Sequence, residues 1–178
     1  MGVRLSNARV PVLGFVAPSG AGKTTLLRAI IGLLKARGLR VGAAKQARND
    51  FDIDRPGKDS YRLRKAGAER LLLTSSKKWA LILEHPDGGD PELNELLRLF
   101  DQDELDIILV EGFSEQAFPK IELVRGGREP VRYPHDPWVI ALATDWTEPG
   151  QATVPVLDLN DPAAVTAFVL AWMNSPLY

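Results

Sequence analysis

The chain has 178 residues and no cysteine, and its 22 basic and 23 acidic residues leave a net charge of −1. That length suits one domain with a sizeable core, and the near-neutral balance gives no global electrostatic case for a nucleic acid or acidic membrane partner. The lack of cysteine excludes disulfides, thiolate metal sites, cysteine nucleophiles and cysteine-held iron–sulfur clusters.

Met1 to Arg9 lacks the long apolar region of a signal peptide, and no run approaches the roughly 20 apolar residues of a membrane span. The expectation is a cytoplasmic protein with a single domain over residues 1–178.

In chain order, the apolar run Pro11 to Val16 predicts a strand, and Leu26 to Leu34 is apolar with helical period. Between them lies Ala17-Pro18-Ser19-Gly20-Ala21-Gly22-Lys23-Thr24-Thr25. Small residues let successive backbone N–H groups converge on an anion, and the start of the helix adds partial positive charge at the same point. Ser19, Gly20, Ala21, Gly22, Lys23, Thr24 and Thr25 are therefore the candidate phosphate-binding residues. Lys23 can reach β/γ-phosphates and the Thr24 hydroxyl can ligate Mg²⁺. The pattern departs from G-x-x-x-x-G-K-[ST] in having Ala17 at its first position, which implies a φ there that tolerates a side chain.

The first helix is predicted over Lys23 to Arg37, with Leu27, Ile30, Ile31 and Leu34 on one face, and Gly38 stops it. Val41 to Lys45 completes a β-α-β unit with a parallel crossover. Arg48 to Ser60 is dense in charge, with Asp50, Asp52 and Asp54 at alternate positions. Charge runs are commonly solvated, yet a loop leaving the carboxyl end of a parallel strand lies on the ligand edge. Lys58 to Ala66 is read as a helix ending at Gly67. Glu69 to Thr74 and Trp79 to Glu84 flank Ser75-Ser76-Lys77-Lys78 and predict a β-hairpin. Its exposed edge calls for a cover, either its own sheet or a homodimer partner.

Asp90 and Pro91 are read as N-cap and first turn of a helix whose face carries Leu93, Leu96, Leu97 and Phe100. Asp106 to Phe113 holds four successive apolar residues and then Glu111, the pattern of a buried strand delivering an acid to the ligand edge. Glu111 is the Mg²⁺-side candidate in the manner of a Walker B acid, with Asp54 as competitor. Lys120 to Arg125 is another strand candidate, followed by a turn-rich segment carrying Arg128 and Arg132. With Arg125 these could meet a phosphate of a second ligand, although a solvated loop is the ordinary fate of such a run.

Trp138 to Ala143 predicts a buried strand that brings Thr144 and Asp145 to the same edge. A carboxylate there can accept both N1–H and the 2-amino group of guanine, so Asp145 is the candidate base reader, with a plain polar strand end as the alternative. No Asn-Lys-x-Asp motif accompanies it. Val154 to Leu157 is a last short strand, and Asp161-Pro162 opens a final helix with Val165, Phe168, Val169 and Trp172 inward. His85 and His135 have no metal-ligand spacing.

Together, the loop from Ala17 to Thr25, Lys45 after the second strand, Asp54-x-Pro56-Gly57-Lys58-Asp59-Ser60 with Arg64 and Ala66-Gly67-Ala68, and Leu109-Val110-Glu111-Gly112-Phe113 resemble the molybdopterin-guanine dinucleotide biosynthesis adaptor protein B family. The resemblance runs from Val10 to Trp172. It implies a P-loop NTPase-like, mostly parallel α/β sheet flanked by helices, with an added β-hairpin. It also implies a homodimeric GTP-binding protein with at most weak GTPase activity, assisting attachment of GMP to molybdopterin. Guanylyl transfer would belong to a partner, the molybdenum cofactor guanylyltransferase. The expected cofactors are GTP and Mg²⁺, with molybdopterin as a second ligand. Where the family often carries histidines, this chain has Gln46-Ala47-Arg48-Asn49, so a contact needing imidazole there does not carry over.

The residues alone also admit a P-loop small-molecule kinase or ATP-dependent ligase, or a carrier whose phosphate loop grips the terminal phosphate of a pterin. No obvious base for water activation is present, which suits slow hydrolysis. Asp50, Asp52 or Asp54 could serve if the loop closes.

Overall fold

In a computed structural model of the chain, the described residues are 5–47, 53–85, 88–127, 129–146 and 152–175. Arg48, Asp50, Asp52 and Arg128 lie outside them.

The elements in chain order are β1 (Val12–Val16), α1 (Lys23–Ala36), β2 (Val41–Lys45), α2 (Asp59–Lys65), β3 (Arg70–Thr74), β4 (Trp79–Leu83), α3 (Leu93–Leu96), β5 (Ile107–Glu111), β6 (Lys120–Val124), β7 (Val139–Thr144), β8 (Val156–Asp158) and α4 (Pro162–Met173). Six strands pair in the order β2, β5, β1, β6, β7, β8, every pair parallel. Parallel pairing sends all six carboxyl ends to one edge, the edge where α/β sheets bind ligands. β3 and β4 form a separate antiparallel hairpin. The fold class expected from the sequence is the one observed.

Two compact units make up the chain, Met1–Gln46 with Glu92–Tyr178, and Ala47–Pro91. The first holds the parallel sheet. Its strands alternate their side chains between two faces, as a doubly covered sheet requires. Ile107 and Leu109 of β5 pack in the cluster with Leu27, Ile30 and Leu34 of α1 and Val165 and Val169 of α4. Ile108 and Val110 pack on the opposite face with Leu93, Leu97, Phe113 and Phe118. α1 and α4 therefore share one face, and α3 with the 3-10 turn Leu97–Leu99 covers part of the other.

The strand ends differ from the sequence reading by a residue or two, and proline explains two of the shifts. Pro11 and Pro155 cannot donate a ladder N–H, so pairing begins at Val12 and Val156, while the Pro11 and Pro155 carbonyls accept from Ile108 and Leu142. The third helix is corrected more substantially. Asp90 is not its cap; α3 starts at Leu93, capped by Glu92 without a side-chain bond. The Gln116 side chain, from a distant loop, accepts the Leu93 N–H at 2.8 Å. A tertiary acceptor has replaced the local one. At α4 the local cap holds: the Asp161 side chain accepts from the N–H groups of Ala163 and Ala164.

β6 carries an unexpected pair of charges into the interior. Lys120 and Glu122 are each only 1% exposed, on the face opposite α1. Glu122 accepts backbone N–H bonds from Val131, Arg132 and Tyr133, which satisfies its oxygens and holds that loop over the sheet. Lys120 Nζ donates to Asp136 at 3.1 Å. Burial lowers the Lys120 pKa, and the Asp136 hydrogen bond opposes that shift.

In the second unit, α2 ends where Gly67 adopts φ 107 and its N–H returns to the Arg64 carbonyl, the predicted glycine stop. In the hairpin, Leu71, Leu73, Ala80 and Ile82 alternate with Leu72, Trp79, Leu81 and Leu83, and the latter four are exposed, Trp79 at 78%.

Candidate functional site

The phosphate loop leaves β1 and enters α1 through Gly22, which has φ 93 and stands as the helix N-cap with no side-chain cap. An L-residue resists that conformation, so the glycine before the lysine is a backbone requirement. Ala17 is not in the left-handed region; Phe113 is the one non-glycine residue there among the described residues. The alanine at the first motif position is thus accommodated as expected. Lys23 Nζ donates to the carbonyls of Ala17 at 2.8 Å and Pro18 at 3.1 Å, so its ammonium stays beside the mouth of the loop.

Strand alternation then decides which side chains meet the loop. Glu111 continues the parity of Ile107 and Leu109, the α1 face, and stands at the end of β5 next to β1. The Thr24 hydroxyl, in the first turn of α1, donates toward both Glu111 oxygens at 3.0 and 3.2 Å. Lys45 is the register partner of Glu111 across β2 and β5, and its Nζ is 3.1 Å from Glu111 Oε1. A hydroxyl and a carboxylate at hydrogen-bond distance supply hard oxygen donors, the kind Mg²⁺ takes. Among the described residues no group of three or more His, Asp or Glu is placed to hold a metal ion. Mg²⁺ on nucleotide phosphates needs only about one or two protein ligands, so Thr24 and Glu111 fit it.

The turn after Glu111 is clamped by the end of β2. The Gln46 N–H donates to the Glu111 carbonyl, and the Gln46 side-chain oxygen accepts the Phe113 N–H at 2.8 Å. Gly112 has φ 102 and Phe113 φ 52, a local strain held by these bonds.

On the other side of the loop, Arg125 follows β6. It donates through Nε to the Ala21 carbonyl at 3.2 Å and through Nη2 to Asn160 at 3.3 Å, and Nη1 lies 4.0 Å from Asp145. Asp145 accepts the Gly126 N–H. The parallel sheet therefore gathers Lys23, Thr24, Lys45, Glu111, Arg125, Asp145 and Asn160 at one edge. Ser19, Gly20, Ala21 and Thr25 belong to the same loop and helix start. Asp54 is in the second unit, where its carboxylate faces Arg64 at 4.0 Å and Arg64 also pairs with Glu84. Arg132 is on the opposite sheet face, paired with Glu115 and Asp136.

The residues that sequence reading did not assign a role are Gln46, Asn160 and Lys45. Gln46 and Asn160 carry no motif signal; Lys45 carried one only through the family resemblance.

Over residues 12–145 the chain matches the family described as MobB: Molybdopterin guanine dinucleotide synthesis protein B. The chain belongs to that family. It is 45% identical to the molybdopterin-guanine dinucleotide biosynthesis adapter protein of Escherichia coli (strain K12), across 93% of this chain and 94% of that protein. It is 34% identical to the adapter protein of the same description from Haemophilus influenzae, across 94% and 92%. A crystal structure of molybdopterin-guanine biosynthesis protein B superposes with a TM-score of 0.73 at 25% identity, covering 92% of this chain and 99% of the other. The MobB homologue from Bacillus stearothermophilus, at 23% identity and TM-score 0.70 over 91% and 97%, shares the fold. In MobB terms, the family's P-loop architecture accounts for the phosphate-loop geometry. No helix among the described residues is long and apolar enough to cross a membrane.

Proposed function

We propose that this MobB-family chain binds GTP with Mg²⁺ and acts as a cytoplasmic adaptor in molybdopterin guanine dinucleotide synthesis, leaving guanylyl transfer to a partner guanylyltransferase. The observation that carries the reading is the Thr24 hydroxyl against the Glu111 carboxylate beside a glycine-shaped phosphate loop. Ser19 to Thr25 hold the phosphates, Thr24 and Glu111 the Mg²⁺ side, and Asp145 reads the guanine edge. Mg²⁺ bound there would neutralise phosphate charge. Molybdopterin is the second ligand.

The two units are taken as parts of one nucleotide-binding domain, the second inserted between β2 and α3. The hairpin face formed by Leu72, Trp79, Leu81 and Leu83 supports a homodimer, since an apolar exposed face of this kind calls for a partner.

Calorimetric titration of wild-type protein and Lys23→Ala with GTP and ATP tests the reading. GTP binding is expected in the wild type and lost in Lys23→Ala, with unchanged circular dichroism. Tight ATP binding with no GTP binding overturns the guanine assignment, and normal GTP binding by Lys23→Ala overturns the site.

A further inference from the structure

The Glu111 carboxylate proposed for the Mg²⁺ side already has a cation. Lys45 Nζ stands 3.1 Å from its Oε1, while Thr24 engages both oxygens. The two side chains of the ion pair are not equally held. Glu111 is 14% exposed and Lys45 is 59% exposed, so the carboxylate is fixed by its surroundings and the ammonium, on a flexible four-carbon stem, is the movable member. Their pairing is built in by the register of β2 on β5, which sets the two residues directly opposite.

From this geometry we infer that Lys45 is an internal counter-ion to Glu111 that competes with the divalent cation for the same carboxylate, and so sets how strongly nucleotide binding depends on Mg²⁺. The inference rests on the reading of Glu111 given above. A carboxylate oxygen occupied by an ammonium cannot also become a metal ligand without bringing two cations within a few ångströms, where their repulsion is substantial at the edge of a protein. A cation on either Glu111 oxygen is therefore opposed by Lys45 for as long as the ammonium stays at Oε1. In the absence of metal, it keeps a partly buried carboxylate from standing uncompensated beside the phosphate loop. Lys45 is a positioning residue on this account. As a mere surface ion pair it would contribute little, and nothing specific to metal.

The test measures Mg²⁺ coupling, the ratio of the GTP dissociation constant in EDTA to that in saturating Mg²⁺, for wild type, Lys45→Met, Lys45→Arg, Glu111→Gln and the Lys45→Met/Glu111→Gln double variant. Lys45→Met is expected to raise the coupling on the order of tenfold by removing the competing cation. Lys45→Arg is expected to keep it near the wild-type value. Glu111→Gln should lower the coupling, and Lys45→Met should then add nothing. Thermal melts of each variant check that the fold is retained. If Glu111→Gln lowers the coupling but Lys45→Met leaves it unchanged or lowers it, the role of Lys45 is overturned and the Glu111 assignment stands. If Glu111→Gln leaves the coupling unchanged, the Glu111 assignment falls and the inference falls with it.

Discussion

Thr24 and Glu111 are 87 residues apart in the chain, yet the Thr24 hydroxyl lies 3.0 Å from one Glu111 oxygen and 3.2 Å from the other. If this pair forms the metal side of the nucleotide site, Thr24→Ala and Glu111→Gln should each weaken GTP binding in Mg²⁺ by about tenfold or more, about 1.4 kcal/mol. In EDTA the same variants should bind GTP much like the wild type. Calorimetry under the two conditions checks this, and equal losses in both would remove the metal from the account.

Gln46 and Gly112 form a second testable pair. Gln46→Ala leaves the Phe113 N–H without its acceptor, a loss of about 1–2 kcal/mol. Gly112→Ala places a methyl group 2.9 Å from the Gln46 Cβ at φ 102, so it should cost about 1–3 kcal/mol. Because both act on one turn, the double variant should fall short of the sum. Urea denaturation of the three variants measures it.

The buried pair Lys120 and Asp136 predicts an asymmetry. Asp136→Ala strands an ammonium that is 1% exposed and should destabilise by about 3–5 kcal/mol. Lys120→Met leaves Asp136 within 3.8 Å of Arg132 and partly exposed, so it should cost distinctly less. Similar unfolding midpoints for the two variants would contradict the burial argument.

Asp106 gives a pH dependence. The Arg40 side chain, and then the Arg40 N–H, hold its carboxyl below the ordinary value. A carboxyl with a lowered folded pKa adds stability above its unfolded value near 4, and that stability is lost as pH falls through the lower folded value. Asp106→Asn should flatten this part of the acid melting curve. Melting temperatures measured from pH 5 down to pH 2 would show it.

The hairpin provides the test of assembly. If the hairpin face carries the proposed homodimer, light scattering should find a dimer in the wild type and a monomer in Trp79→Ser with Leu81→Ser, while far-ultraviolet circular dichroism stays near the wild-type spectrum. An unchanged dimer would place the interface elsewhere.

Much of this architecture could be read along the chain because its signals are local. The small residues from Ala17 to Gly22, the apolar run ending in Glu111, the Gly67 stop and the Asp161 cap each depend on backbone sterics or on residues within a few positions of one another. What meets Glu111 is a different matter. Lys45 reaches it through the β2 and β5 register, and Thr24 reaches it because strand alternation turns Glu111 toward α1. Strand order and register join residues far apart in sequence, and hydrophobic periodicity carries neither. The same reason hides the burial of Lys120 and Glu122, whose surroundings are set by a loop folded back over β6, and the capping of Leu93 by Gln116. Sequence alone determined that a phosphate loop opens a parallel sheet with an acid near its carboxyl edge. Tertiary structure decided which side chains surround that acid, because electrostatic pairing depends on distance in space.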